Sequence, residues 1–345
     1  MGFSFGLFSC ATMDSTTLGR TGLKVSRIGF GGIPIQRLTT DVAVRVVRYA
    51  LKMGCSLIDT ARVYTDSEKK IGAALAGLSD KPVVVSKTYS REAAAALQDI
   101  GISRENLGID CIDVYLAHNV GSVEELTDVL GPDGALEGLR RARRRGWINH
   151  IGISSHKVRV LDAALDHEIF SVVEAPFNAV EDQFLPVLQK ARNRNVGTII
   201  MKPLAGGALE NATSALKFIL ERRVGCVVPG MQSRAEVQEN TTISGRLSPS
   251  ERSTLMSQVE TLDERFCRRC EYCLPACPQD INITKILLFG SYSSRYGLVE
   301  WAQERYQDMD VPADSCVSCG RCEERCPYEL PVQDMLQDAH DSLAS

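Results

Sequence analysis

The sequence has no run approaching the roughly 18 consecutive apolar residues of a membrane-spanning helix, so no transmembrane segment is expected. It has no excess of positive charge. Its 39 Lys and Arg stand against 43 Asp and Glu, a net charge of −4, whereas a generally basic nucleic-acid binder would be more positive. Nucleic acid is therefore not an expected partner. Around Met1–Met13 there is no basic stretch and no small-residue cleavage site, so this short apolar segment reads poorly as a secretory leader. Myristoylation would want Ser or Thr at position 6, where Gly6 stands. Leu7-Phe8-Ser9-Cys10 is a weak match to a lipoprotein box. Residues 1–13 are expected to be a disordered extension of a cytoplasmic protein. No G-x-G-x-x-G follows the first β-like run; Gly29-Phe30-Gly31-Gly32 passes straight into Ile33-Pro34, which disfavours an open doubly wound sheet.

What is abundant is cysteine, unevenly placed. Cys10, Cys55, Cys111 and Cys226 are scattered, and the other eight of twelve fall between residues 267 and 326. Disulfide-dense chains are usually small and secreted, so metal ligation fits this 345-residue chain better. Cys267-x2-Cys270-x2-Cys273-x3-Cys277-Pro278 is repeated as Cys316-x2-Cys319-x2-Cys322-x3-Cys326-Pro327. Three thiolates at two-residue gaps let one loop wrap three corners of a cubane. In two-cluster ferredoxins the fourth cysteine ligates the other cluster. This assigns Cys267, Cys270, Cys273 and Cys326 to one 4Fe–4S cluster and Cys277, Cys316, Cys319 and Cys322 to a second. Zinc, the alternative, is usually held by two C-x2-C pairs rather than two complete four-cysteine runs. The repeat continues as Pro278-x-x-Ile281-x-Ile283 and Pro327-x-x-Leu330-x-Val332, apolar residues expected to line the clusters. The spacer Thr284–Asp314 is long and helix-like. Over residues 264–340 the segment resembles the α-helical ferredoxin domains of fumarate reductase and heterodisulfide reductase subunits.

Upstream, eight short apolar runs alternate with helical stretches: Val25–Phe30, Ser56–Asp59, Val83–Ser86, Ile112–Leu116, Ile148–Ile153, Ser171–Glu174, Thr198–Met201 and Cys226–Val228. Continuous apolar runs suit parallel strands buried on both faces. Helical candidates include Asp41–Met53, Ser67–Leu78, Val123–Arg145, Leu185–Asn195 and Ala212–Arg222. Eight βα units in about 250 residues is the size of a TIM barrel. Thr16–Val25 reads as a hairpin turning at Arg20–Gly22, and Ser248–Leu262 as a helix opened by Ser248 and Pro249. The expected fold is α/β: a (β/α)8 barrel over 14–262, then a small, mainly α-helical iron–sulfur domain over 263–345. No flexible linker separates the two, so they are expected to pack together.

In a TIM barrel, polar residues at strand C-termini face the active site. Asp59 and Tyr64 follow the second run, Lys87 ends the third and His118 ends the fourth. Here the sequence resembles the aldo-keto reductases over most of residues 14–245: Leu18-Gly-Arg-Thr-Gly22, Ile58-Asp59-Thr60-Ala61-x-x-Tyr64, Lys87, His118 and Ile151-Gly-Ile-Ser-Ser155. The family tetrad falls on Asp59, Tyr64, Lys87 and His118. Carbonyl reduction leaves an alkoxide that needs a proton. Tyr, with a pKa near 10 when free, is a good donor only if that value is lowered, which a neighbouring Lys87 fixed by Asp59 would do. His118 would orient the substrate carbonyl.

The resemblance also implies nicotinamide contacts at Gly31, Ser154, Ser155, Glu174 (a common Gln position) and Met201, where many relatives stack a Tyr. Phosphate-side loops would involve Pro203, Leu204, Gly230 and Gln232, and adenine-side contacts Glu239 and Asn240. Gly230 and Glu236 stand where NADP-preferring relatives carry Lys and Arg, leaving Arg234 as the nearby base. NADH is therefore expected to serve at least as well as NADPH. The arginine run Arg140–Arg145 reads as a solvated helix end favouring cations, or as a dock for an acidic redox partner. His150, His156 and His167 receive no role. The expected function is NAD(P)H-dependent reduction of a small carbonyl substrate with electron transfer through two 4Fe–4S clusters. The alternative is an electron-transfer or nicotinamide-sensing subunit whose barrel only binds. Nicotinamide gives two electrons together and a cluster takes one, so an extra participant is expected: a flavoprotein partner, a bound flavin, although no flavin motif is present, or a substrate that accepts single electrons.

Overall fold

The computed structural model describes residues 13–344, so the expected extension lies outside the described residues except for Met13. The chain forms two compact units. The first holds the chain up to Phe177, Gln183–Pro203 and Leu216–Arg246; the second holds Asn178–Asp182, Leu204–Ala215 and the chain from Leu247 onward.

The first unit opens with the expected hairpin, β1 (Ser15–Thr17) paired antiparallel to β2 (Lys24–Ser26). Eight parallel strands follow: β3 (Phe30–Gly31), β4 (Leu57–Asp59), β5 (Val83–Thr88), β6 (Ile112–Ala117), β7 (Ile148–Ser154), β8 (Val172–Pro176), β9 (Gly197–Met201) and β10 (Cys226–Val227), each beside its sequence neighbours. The two edges meet. The Gly29 N–H donates to Val227 O at 2.8 Å, the Val227 N–H to Arg27 O at 2.9 Å and the Gly31 N–H to Pro229 O at 2.9 Å. The sheet is thereby a (β/α)8 barrel, with α1 (Thr40–Lys52), α2 (Ser67–Leu75), α3 (Ala93–Leu107), α4 (Val123–Leu130), α5 (Ala135–Arg144), α6 (Val158–Ala164), α7 (Leu185–Asn193), α8 (Ala212–Leu220) and α9 (Arg234–Thr241) in its connections.

Two expected elements are divided. The run Val25–Phe30 serves both the hairpin and the first barrel strand. The single helix expected over 123–145 is two, because Pro132 supplies no N–H and holds Gly131 extended at ψ 170°. Ser122 and Ser233 cap α4 and α9, their hydroxyls accepting the N–H groups of Glu125 and Glu236 at 3.1 Å each.

The barrel interior shows how the site is placed. Leu57, Val85, Leu116, Val172 and Ile199 belong to one buried cluster with Leu18 and Val25 of the hairpin. Side chains alternate along a strand, so the residue two positions on shares the inward face. Two positions beyond these five stand Asp59, Lys87, His118, Glu174 and Met201. An apolar layer thus carries a mostly polar layer at the C-terminal strand ends, where TIM-barrel active sites lie.

The second unit contains α10 (Pro249–Asp263), α11 (Ile283–Tyr296), α12 (Val299–Gln307), α13 (Arg321–Glu324) and α14 (Val332–Leu343). Ser248 and Glu251 form a full capping box at the start of α10, as the Ser-Pro opening predicts. The cysteine repeat is also a backbone repeat. Arg269, Glu271 and Asp280 have φ of 55°, 70° and 54°, and their counterparts Ser318, Gly320 and Glu329 have 52°, 75° and 51°. Non-glycine residues rarely adopt this left-handed conformation, so its recurrence at matched positions marks two copies of one loop shape. Beneath them Ile281, Ile283, Ile286, Leu330, Val332 and Leu336 form a core, each 3% exposed or less.

Candidate active site and cysteine hollows

Lys87 stands at the centre of the polar layer with no solvent exposure. Its ammonium donates to both oxygens of Asp59, at 2.5 and 2.7 Å, and to the Thr60 carbonyl at 2.9 Å. Burial opposes the charge, but Asp59, Glu174 and Tyr64 together raise the Lys87 pKa above that of a free ammonium, so it stays charged. Its nitrogen lies 5.5 Å from the centre of the half-buried Tyr64 ring. The His118 ring meets that of Tyr64 edge-on at 5.9 Å. Burial first, then the charges of Lys87 and Arg91, hold His118 well below the ordinary histidine pKa, so its imidazole is neutral. Its Nδ1 is buried without a hydrogen-bond partner. The four residues singled out in the sequence are therefore brought together.

Other neighbours were not foreseen. Tyr89, two positions beyond Lys87 and 44% exposed, lies over His118 at 4.2 Å between ring centres. Arg91 donates to the His118 carbonyl at 2.8 Å and pairs with Glu125 at 2.6 Å. Glu174, expected as a cofactor contact, has its Oε2 3.3 Å from the Lys87 nitrogen. The sequence signal for Tyr89 was the two-residue alternation beyond Lys87 at its strand end.

The remaining nucleotide candidates divide by what their atoms are doing. Ser154 accepts the Asn119 N–H at 2.8 Å, while Ser155 spends its hydroxyl proton on the Val120 carbonyl at 2.6 Å. Met201 is half-buried and Pro203 buried; Leu204 begins a segment of the second unit. Gly31 and Gly230 are bridged across the closing seam, and a Cβ on Gly230 would come within 2.6 Å of the Pro34 ring. Any side chain at Gly230 would have to displace that ring. Glu236 is bound into its own loop, its carboxylate accepting the Gln232 N–H at 2.7 Å. Arg234 lies over the Tyr49 ring at 4.3 Å, and Glu239 is exposed. Asn240 is 3% exposed with its Oδ1 unpartnered, an acceptor suited to an amino group such as that of adenine. Within the first unit, the buried and unpartnered Asn240 Oδ1 fits a nicotinamide nucleotide.

In the second unit the eight cysteines ring two hollows. One is lined by Cys267, Cys270, Cys273 and Cys326, with Ile283, Leu330 and Val332. The other is lined by Cys277, Cys316, Cys319 and Cys322, with Ile281 and Ile283. The fourth cysteine of each motif faces the other motif's hollow, the crossed arrangement read from the spacing. Among the described residues, no three His, Cys, Asp or Glu side chains gather closely enough to hold a single ion. Four thiols around a hollow suit a cubane better than tetrahedral Zn2+.

Of the other candidates, Arg141 and Arg144 pair with Glu137 at 3.1 and 3.0 Å on the exposed face of α5. Among the described residues, no helix is long and apolar enough to cross a membrane.

Comparison with known proteins agrees with this geometry. Residues 27–214 match the aldo/keto reductase family and residues 266–331 a 4Fe–4S dicluster domain. An L-galactose dehydrogenase of Arabidopsis thaliana is 28% identical over 219 residues, covering 57% of this chain and 67% of that protein. An aldo-keto reductase of Mycobacterium ulcerans is 33% identical over 195 residues, covering 52% of this chain and 63% of its own length. A solved aldo-keto reductase of Pseudomonas aeruginosa superposes with a TM-score of 0.60 at 25% identity, covering 66% of this chain and 94% of that one. One from Klebsiella pneumoniae, solved with NADPH, shares the fold with a TM-score of 0.58 at 21% identity. The family match spans more than half of the chain, and the strand-end geometry accords with it: this chain belongs to the aldo/keto reductase family, and its barrel is followed by a 4Fe–4S dicluster domain.

Proposed function

We propose that the protein is an NAD(P)H-dependent carbonyl reductase of a small substrate, with two 4Fe–4S clusters, one in each cysteine hollow, that exchange electrons with a separate redox protein. The observation that carries the reading is the buried Lys87 held by Asp59 beside Tyr64. When bound, a reduced nicotinamide supplies a hydride and the clusters supply single-electron steps. The residues of the chain supply the rest. Asp59 and the Thr60 carbonyl fix the Lys87 ammonium. Its charge favours the phenolate of Tyr64, which makes the phenol a better acid toward the alkoxide oxygen. Neutral His118 donates an N–H to the substrate carbonyl and so orients it. The proton leaves Tyr64 Oη and arrives on the product oxygen. Apolar Ile281, Ile283, Leu330 and Val332 keep water from the clusters.

A second reading, a nicotinamide-sensing or electron-transfer subunit without turnover, is favoured by one observation: a second carboxyl, Glu174, faces Lys87. Anaerobic assay of cluster-loaded protein with NADH and NADPH over a panel of aldehydes and ketones separates the two. Turnover supports the first. Nicotinamide binding with no turnover on any carbonyl defeats it in favour of the second.

A further inference from the structure

Lys87 has three protons to donate and spends them all, two on Asp59 and one on the Thr60 carbonyl. The second carboxyl, Glu174, is 1% exposed; its Oε2 sits 3.3 Å from the Lys87 nitrogen and is without a hydrogen-bond partner. One buried cation thus faces two buried carboxyls. We propose that Glu174 is a positioning residue that sets the acidity of Tyr64 through Lys87, holding a proton while Tyr64 works as an acid and weakening that acid when the proton is lost.

The charge count gives the reason. With Glu174 neutral, Lys87 and Asp59 sum to zero, and ionising Tyr64 takes the cluster to one negative charge. With Glu174 ionised the cluster starts at minus one, and Tyr64 must take it to minus two beside three buried charged groups. A like charge in a shared buried site shifts a neighbour by about one pKa unit or more, a factor of roughly ten. Burial raises the pKa of both carboxyls, and the proton belongs on Glu174 rather than Asp59 because Asp59 takes two of the three Lys87 hydrogens. Burial, then the charge of Asp59, pushes Glu174 up to about 8. The groups around it are few. Its register partners, Ser154 on β7 and Ile199 on β9, do not ionise in this range. Asp59 on β4 and Lys87 on β5 face it across the barrel, while Tyr64 and His118 reach it through Lys87, and His118 is neutral. A glutamine there would fill the same space without titrating.

The inference rests on the assignment of Tyr64 as the acid, so its test includes a readout that needs no turnover. The Tyr64 phenol is titrated by ultraviolet difference absorbance in cluster-loaded protein, its signal isolated by subtracting the matching Tyr64→Phe protein. In Glu174→Gln the Tyr64 midpoint should fall by about one unit relative to wild type. An infrared band of a protonated carboxyl should titrate near pH 8 in wild type and be missing from Glu174→Gln. In the pH profile of kcat/KM for carbonyl reduction, the alkaline limb set by loss of the Tyr64 proton should move with the Tyr64 midpoint, about one unit lower in Glu174→Gln, whatever its absolute rate. An unchanged Tyr64 midpoint together with an unchanged alkaline limb would overturn the proposal. If no carbonyl is turned over at all, the proposed activity fails while the two spectroscopic titrations still decide the role of Glu174.

Discussion

Replacing Lys87 with Met keeps most of the side chain's volume and removes its charge. Three hydrogen bonds of 2.5, 2.7 and 2.9 Å are lost, and Asp59, 4% exposed, is left without its cation. Removing one partner of a buried ion pair typically costs about 3–5 kcal/mol, because the other charge remains buried. The cost has a pH signature. Burial already raises the folded-state pKa of Asp59 above its unfolded value of about 3.9, with Lys87 working against that rise; without Lys87 it rises further. Stability of the variant then falls as pH rises through that window, so its deficit against wild type should be small near pH 4 and full by pH 8. Adding Asp59→Asn removes the stranded charge and should recover most of the loss, since a neutral pair of similar volume is often tolerated. The chain has two tryptophans. In a Trp301→Phe background the remaining Trp147, held between Arg104 and Arg145, reports on the barrel alone during anaerobic urea unfolding. A Lys87→Met deficit below about 1 kcal/mol at pH 8, or one independent of pH, would refute the view that Lys87 neutralises a buried carboxylate.

The other predictions are more direct. Anaerobically prepared protein should hold about eight irons per chain. Cys277→Ser and Cys319→Ser should lose the same paramagnetic resonance signal, and Cys273→Ser and Cys326→Ser the other; grouping by motif instead would refute the crossed ligation. NADH should bind at least as tightly as NADPH in fluorescence titration, because Gly230 is backed by the Pro34 ring and Glu236 is turned into its own loop. A hundredfold preference for NADPH would show another cation at work. The raised pKa of Glu174 means that the folded state holds its proton more tightly than the unfolded chain does. Stability should decline from about pH 4.5 to about pH 8 on that account, and urea midpoints of Glu174→Gln should lack that part of the slope.

Much of this was legible in the sequence, for identifiable reasons. The barrel announced itself through continuous apolar runs, and the tetrad through ionisable residues at successive run ends. The crossed lining of the hollows was expected from two-cluster ferredoxins, in which the fourth cysteine of such a run ligates the other cluster. The broken helix was also written in the chain, in Gly131-Pro132, but the apolar periodicity on both sides masked it. The closeness of Glu174 to Lys87 was not legible. They sit on β8 and β5, four strands counted inclusively, and only the curvature of a closed sheet brings them within 3.3 Å. The engagement of the Ser155 hydroxyl by Val120 was hidden for a similar reason, since it depends on a loop carbonyl 35 residues away.

The central claim is that this barrel reduces a carbonyl with Tyr64 as its acid. The most direct measurement is anaerobic single turnover of cluster-loaded wild type and Tyr64→Phe, mixed with reduced nicotinamide and a carbonyl, with nicotinamide affinity measured on the same samples. The account predicts that Tyr64→Phe binds nicotinamide as wild type does but loses the 10²–10⁴-fold or so that a positioned acid contributes. An unchanged single-turnover rate in Tyr64→Phe would contradict it.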